Sequence, residues 1–157
     1  MRDAELLRYL VLAGQREGNR RLANDLRGLG LSPAQAEAIR ILGDHEPLTL
    51  SGLGDMLVCE SGSNPSRLVD KLVGAGLVER TPGVDDRRQV MLSLTPEGRA
   101  AEAAVRAIEA ALYADLDAAL GDADPTALID VLRRFSADSP AGDALKNRVA
   151  AEREVAR

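Results

Sequence analysis

Between Asn64 and Arg99 the chain reads NPSRLVDKLVGAGLVERTPGVDDRRQVMLSLTPEGR. Asn64 can cap a helix, and Pro65 suits its first position. Leu68 and Leu72, four apart, put one apolar stripe on that helix, followed by Ala75, while Ser66, Arg67, Asp70 and Lys71 stay on the polar side. Gly76 supplies the stop. Leu77 to Thr81 then reads as a short strand, and Pro82 to Arg88 as a polar hairpin loop. The partner strand runs from Gln89 to Leu94, with Val90, Leu92 and Leu94 alternating against Met91 and Ser93. Thr95-Pro96-Glu97 opens the next helix. Helix, hairpin, helix is the frame of this stretch.

Upstream, Ser32-Pro33-Ala34-Gln35 is a capping box with proline at the first helical position, and Ala36, Ile39 and Leu42 face inward until Gly43. After Pro47 a third helix is predicted, capped by Thr49 or Ser51, with Leu50, Leu53 and Leu57 on its apolar side. Gly52 and Gly54 make it a poor helix by propensity. Cys59 to Ser63 reads as a turn. The first helix, Ala4 to about Arg27, carries Leu6, Leu10 and Ala13 on one stripe and Leu22 and Leu26 on another, and Gly28-Leu29-Gly30 ends it. Downstream, Val105, Ile108, Leu112, Leu116 and Ala119 mark a long helix from Pro96 to Leu120. Two more start at Asp124-Pro125, with Leu128, Leu132 and Phe135 as a stripe, and at Ser139-Pro140, with Leu145 and Val149. The order from residue 32 is three helices and a two-stranded hairpin, so the expected fold is mainly α: a winged helix-turn-helix with a two-stranded β-wing, flanked by helices at both ends. A helix about 12 Å across fits the major groove of B-DNA, and a hairpin beside it reaches the neighbouring minor groove.

Composition narrows the function. The chain has 157 residues, 45% apolar and 29% charged, which suits one domain or one domain with extensions. Aromatics are 2% (Tyr9, Tyr113 and Phe135), too few to stack single-stranded nucleic acid. No apolar run reaches the roughly 18 residues of a membrane span, and no signal-peptide pattern opens the chain, so the expected compartment is the cytoplasm. Cys59 and His45 are each the single residue of their type. That excludes a disulfide framework within the chain and a multi-Cys/His zinc cage. No cofactor is expected. No nucleophile, base and orienter can be assembled and no phosphate loop is present, so an enzyme is not expected. The net charge is −5, which by itself disfavours nucleic acid. Its distribution matters more. Residues 1–59 carry 7 basic and 8 acidic groups, residues 60–99 carry 6 and 6, and residues 100–157 carry 7 and 11.

The strings Arg67-Leu68-Val69-Asp70-Lys71-Leu72, Gly76-Leu77-Val78-Glu79-Arg80, Asp85-Asp86-Arg87-Arg88 and Leu94-Thr95-Pro96-Glu97-Gly98-Arg99, with Leu48 to Leu53 before them, resemble the MarR family of bacterial transcription regulators at this spacing. The resemblance covers about 70 residues closely. It implies a homodimer on double-stranded DNA. Residues 1–30 would form an N-terminal dimerisation helix, 31–98 the DNA-binding domain and 99–157 the C-terminal dimerisation helices. It also implies that the fourth helix reads the major groove and the wing enters the minor groove. In the family's Asp-x-Arg wing motif, Arg88 becomes the minor-groove residue and Asp86 its positioner. The turn from Val58 to Asn64 is about one residue longer than the family pattern, and Pro65 replaces an ordinary helical residue.

The candidate DNA-binding residues are Ser63, Asn64, Ser66, Arg67, Lys71, Arg87 and Arg88. Each has a plainer role beside it. Arg87 and Arg88 suit a narrow electronegative minor groove but equally suit solvent. Arg67 and Lys71 lie one turn apart on one face, and Arg67 is spaced to pair with Asp70. Ser63, Asn64 and Ser66 can donate to phosphate near the helix N-terminus, and for Asn64 capping is the stronger expectation. Cys59 is a candidate redox switch, but Met56, Leu57 and Val58 before it suggest a small buried filler. His45, between Asp44 and Glu46, reads as surface rather than a metal ligand. The expected function is a DNA-binding repressor released by a small-molecule effector of unknown identity. A winged helix serving as a protein-interaction module, and a Cys59 thiol-based regulator, are the alternatives.

Overall fold

The structure, a computed structural model, describes residues 1–59, 64–84 and 86–155. Helix α1 (Asp3–Leu26) leads into a 3-10 turn, Arg27–Leu29. Gly30 closes that turn at φ +67, a left-handed conformation that glycine adopts without a Cβ penalty. The capping box forms as the sequence predicts. The Ser32 hydroxyl accepts the Gln35 amide at 3.3 Å, and Gln35 Oε1 accepts the Ser32 amide at 2.9 Å. Helix α2 (Pro33–His45) follows.

Strand β1 (Leu48–Thr49) comes next, then the single-turn helix α3 (Leu50–Gly54). Thr49 serves both elements: it belongs to β1, and its hydroxyl accepts the Gly52 amide at 3.0 Å. Helix α3 is shorter than the stripe Leu50, Leu53, Leu57 suggests. Its glycines end it at Gly54, yet Met56 and Leu57 beyond it remain buried. Helix α4 (Pro65–Gly74) completes the helix-turn-helix. Gly76, at φ +71, turns the chain from α4 into strand β2 (Val78–Pro82), and the Leu77 amide reaches back to the Leu72 carbonyl at 3.0 Å.

Strand β3 (Val90–Leu94) pairs antiparallel with β2, placing Val78 opposite Leu94 and Pro82 opposite Val90. It also pairs with β1, Leu48 opposite Leu92. The β2–β3 hairpin is the two-stranded wing expected, and β1 adds a third strand that the sequence did not reveal, giving the order β1-β3-β2. A two-residue strand offers no alternation to detect, and Thr49 looks like a helix cap. The long helix α5 (Pro96–Leu120), α6 (Thr126–Ser136) and α7 (Pro140–Val155) close the chain.

The core is aliphatic. Ile39, Ile41 and Leu42 of α2 meet Leu53, Leu57, Val69 and Leu72 of the helix-turn-helix, with Leu92 and Leu94 from the sheet. Val105 of α5 and Leu26 of α1 seal its edges. Tyr9, Tyr113 and Phe135 are all exposed, Phe135 at 85%. Among the described residues no helix is long and apolar enough to cross a membrane.

Candidate nucleic-acid interface

Helix α4 buries Leu68, Val69 and Leu72 and turns Arg67, Asp70 and Lys71 outward. The apolar side chains recur at three- and four-residue steps, so the polar ones are forced to the other face. Asn64 Oδ1 accepts the Ser66 amide at 3.0 Å, so its oxygen caps α4, as the sequence favours. Ser66 is half-buried directly above that cap. Ser63 lies outside the described residues, as does Asp85 of the wing motif.

The wing tip is folded by Asp86. Its carboxylate accepts the Arg88 amide at 2.9 Å, and its carbonyl accepts the Gln89 amide at 3.0 Å. Asp86 thus holds the backbone of Arg88 and leaves the guanidinium in solvent. Gly83 allows the close approach: a Cβ there would come within 2.7 Å of the Asp86 carbonyl oxygen.

Residues 31–98 hold six cations. Arg40 is locked between Glu102 and Glu109, and Arg80 of β2 pairs with Asp70 of α4 at 2.6 Å. Asp70 is therefore taken by the wing strand, not by Arg67. The other four, Arg67, Lys71, Arg87 and Arg88, are exposed, and among the described residues they have no carboxylate partner within 4.0 Å. These are the four cations singled out from the sequence.

Cys59 is exposed, not the buried filler expected. The chain leaves the core after Leu57, and the Cys59 amide bonds outside the helix register. Its partner is Glu37 of α2, whose two oxygens accept the amides of Val58 (3.0 Å) and Cys59 (2.8 Å). Sequence reading missed Glu37. The signal was present, because Ala34 and Ile41, three before and four after it, are both core residues.

A second group missed lies between α2 and α5. Arg40 donates to Glu109 at 2.9 Å and to Glu102 at 2.5 Å, and lies 3.4 Å from Asp44. Arg106 bridges Asp44 and Glu102 at 2.8 and 2.6 Å. Burial pushes the Asp44 carboxyl up, but the Arg106 hydrogen bond and the Arg40 charge outweigh it, and the net shift is downward. Burial likewise pulls Arg40 down while Glu109 and Glu102 raise it further, so its charge is secure. Arg40–Asp44 and Glu102–Arg106 are four apart, but the pairs that join α2 to α5 stand 60 and more residues apart and left no local pattern to read.

A short helix-turn-helix with a hairpin beside it, and exposed cations on both, define a winged-helix protein. Residues 31–90 match the model of the MarR family. An organic hydroperoxide resistance transcriptional regulator of Bacillus subtilis is 30% identical over 90 residues, 57% of this chain and 60% of that one, so this chain spans less than two thirds of that regulator. Among solved structures, the transcriptional repressor CouR bound to a 23-mer DNA duplex is 28% identical, with a TM-score of 0.70 over 85% of this chain and 94% of CouR. A mutant MarR from E. coli complexed with operator DNA is 25% identical, also at 0.70, over 82% of this chain and 92% of that one.

Proposed function

We propose that the chain is a transcription regulator that binds double-stranded DNA sequence-specifically, as a homodimer on an inverted repeat. Helix α4 enters the major groove and the Arg87-Arg88 tip the minor groove. Four exposed cations without a carboxylate partner among the described residues carry this reading, because a cation kept clear of carboxylates is available to phosphate and base edges. The overall acidity resides mainly in residues 100–157, away from them. The DNA bound in the CouR and MarR complexes supports the same reading by likeness.

Selection of bound sequences from a random duplex pool tests it, and recovery of an inverted repeat is the expected result. On that operator Arg88→Ala and Arg67→Ala each weaken binding by ~1–3 kcal/mol, and Lys71→Ala lowers the salt slope by about 1. Salt-insensitive binding, unchanged by Arg88→Ala, would favour the protein-interaction module that the net charge of −5 suggests.

Dimerisation falls to residues 1–30 and 99–157 in this proposal. Of the 24 residues in α1 only Leu26 is buried, while Leu6, Leu10 and Val11 face solvent, as do Leu128 and Leu132 of α6. A helix gains its stability mainly from packing an apolar face, so these faces call for a second copy. Sedimentation is expected to give the mass of two chains, and Leu132→Asp to shift it toward one. Release by a small-molecule effector is the remaining part of the proposal. A cleft of about 550 Å³ supports it, lined by Gln15 and Asn19 of α1, Ser32 before α2, and Val58 and Cys59 of the turn before α4.

A further inference from the structure

Residues 55–59 follow α3 on the way to α4, and α7 bears on them at two places. Asn147 Nδ2 donates to the Asp55 carbonyl at 3.0 Å, at the end of α3. One residue on, Arg148 Nη1 lies 3.5 Å from Glu37 Oε1. Glu37 is 8% exposed, and both of its oxygens are occupied by the amides of Val58 and Cys59. A carboxylate this deep needs a counter-charge, and among the described residues Arg148 is the cation within 4.0 Å of it. Arg148 is itself held from behind by Glu152 at 3.8 Å. Ala144, buried at 4%, and Ala151, packed against the core, seat this face of α7.

We infer that α7 is a strut for the turn before α4. Arg148, acting through Glu37, is a positioning residue for that turn, and displacement of the C-terminal helix is passed to the DNA-reading helix. The last step rests on the DNA-binding reading; the strut does not. Asn147 bonds residue 55 directly, and Arg148 reaches the amides of residues 58 and 59 through Glu37. Sliding α7 therefore cannot leave that segment unchanged. Arg148 sits more than 80 residues from the amides it governs, which separates this from a local cap.

The test uses the full chain, with Arg148→Met to remove the charge while keeping the stem, and Arg148→Lys to restore it. Hydrogen exchange of the Val58 and Cys59 amides is read by NMR, with the amides of Ile39 and Ile41 as references. Arg148→Met is expected to speed exchange at Val58 and Cys59 by about tenfold, within the usual range of coupling between sites. Ile39 and Ile41 stay unchanged, and Arg148→Lys recovers part of the protection. Operator affinity falls by about tenfold in Arg148→Met, while affinity for a random duplex and its salt slope do not move. Equal exchange in wild type and Arg148→Met overturns the strut, as does a general rise that includes Ile39 and Ile41. Faster exchange with unaltered operator affinity overturns transmission to α4. A wild type that binds no duplex removes the DNA-binding reading and transmission with it, and exchange alone then decides the strut.

Discussion

Gly98→Ala is expected to lower the stability of the folded chain by about 3 kcal/mol, seen as a lower urea midpoint with an unchanged slope. Gly98 lies in the first turn of α5, and its amide donates to the Thr95 hydroxyl oxygen at 2.9 Å. Thr95 in turn donates to the Gly76 carbonyl at 2.7 Å, and its amide to the Leu77 carbonyl at 3.1 Å. The start of α5 is thereby pressed onto the root of the wing. A Cβ on residue 98 would overlap the Leu77 carbonyl oxygen and crowd Leu94 Cβ at 3.3 Å. Backbone cannot swing aside as a lysine tip can, so either α5 lifts or β2 shifts. Gly74→Ala is the control. Gly74 ends α4 with nothing within 4 Å of an added Cβ, and alanine there is expected to stabilise by about 0.5 kcal/mol. Equal losses at both positions would rule out the Leu77 contact as the cause.

Arg40→Met is expected to cost a similar amount, about 3 kcal/mol at neutral pH, by thermal or urea unfolding. Methionine fills much of the arginine stem's volume, so the loss comes from charge. Glu102 and Glu109, with side chains 14% and 13% exposed, would face each other without the guanidinium between them. Arg106, half-exposed, reaches Glu102 but not Glu109. The pH dependence has a definite sign. Asp44 has its folded-state pKa lowered below the ordinary 3.8, so its contribution is complete above that value and is lost as pH falls through the lowered one. Arg40 is one of the groups that hold it down, with Arg106 and His45. The gap between wild type and Arg40→Met should therefore be widest near neutrality and narrow below about pH 4, as carboxylates take up protons and no longer need the cation. A gap independent of pH would mean that Arg40 contributes packing alone.

Features encoded within a few residues were readable in advance. Ser32-Pro33-Ala34-Gln35 specified both bonds of its capping box, Asn64-Pro65 and Thr95-Pro96 the starts of α4 and α5, and the alternation from Val90 to Leu94 the central strand of the sheet. Arg67, Lys71, Arg87 and Arg88 were legible because helix period and hairpin position decide which side chains face solvent. Strand β1 was not, since two residues carry no period. The outward turn of Cys59 was not, because it depends on a carboxylate 22 residues earlier in the chain. The apolar stripes on α1 and α6 were legible, but a stripe says only that something must cover it. Within one chain Leu10, Leu128 and Phe135 stay uncovered.

The placement of the three rings has a practical consequence for optical experiments. Tyr9, Tyr113 and Phe135 sit on α1, α5 and α6, all are solvent-facing, and the chain has no tryptophan. Ultraviolet absorbance and intrinsic emission are therefore blind to the aliphatic interior of the winged helix. They report instead on the outer helices where two copies would meet, so a tyrosine signal that varies with dilution follows assembly, and backbone dichroism has to follow folding.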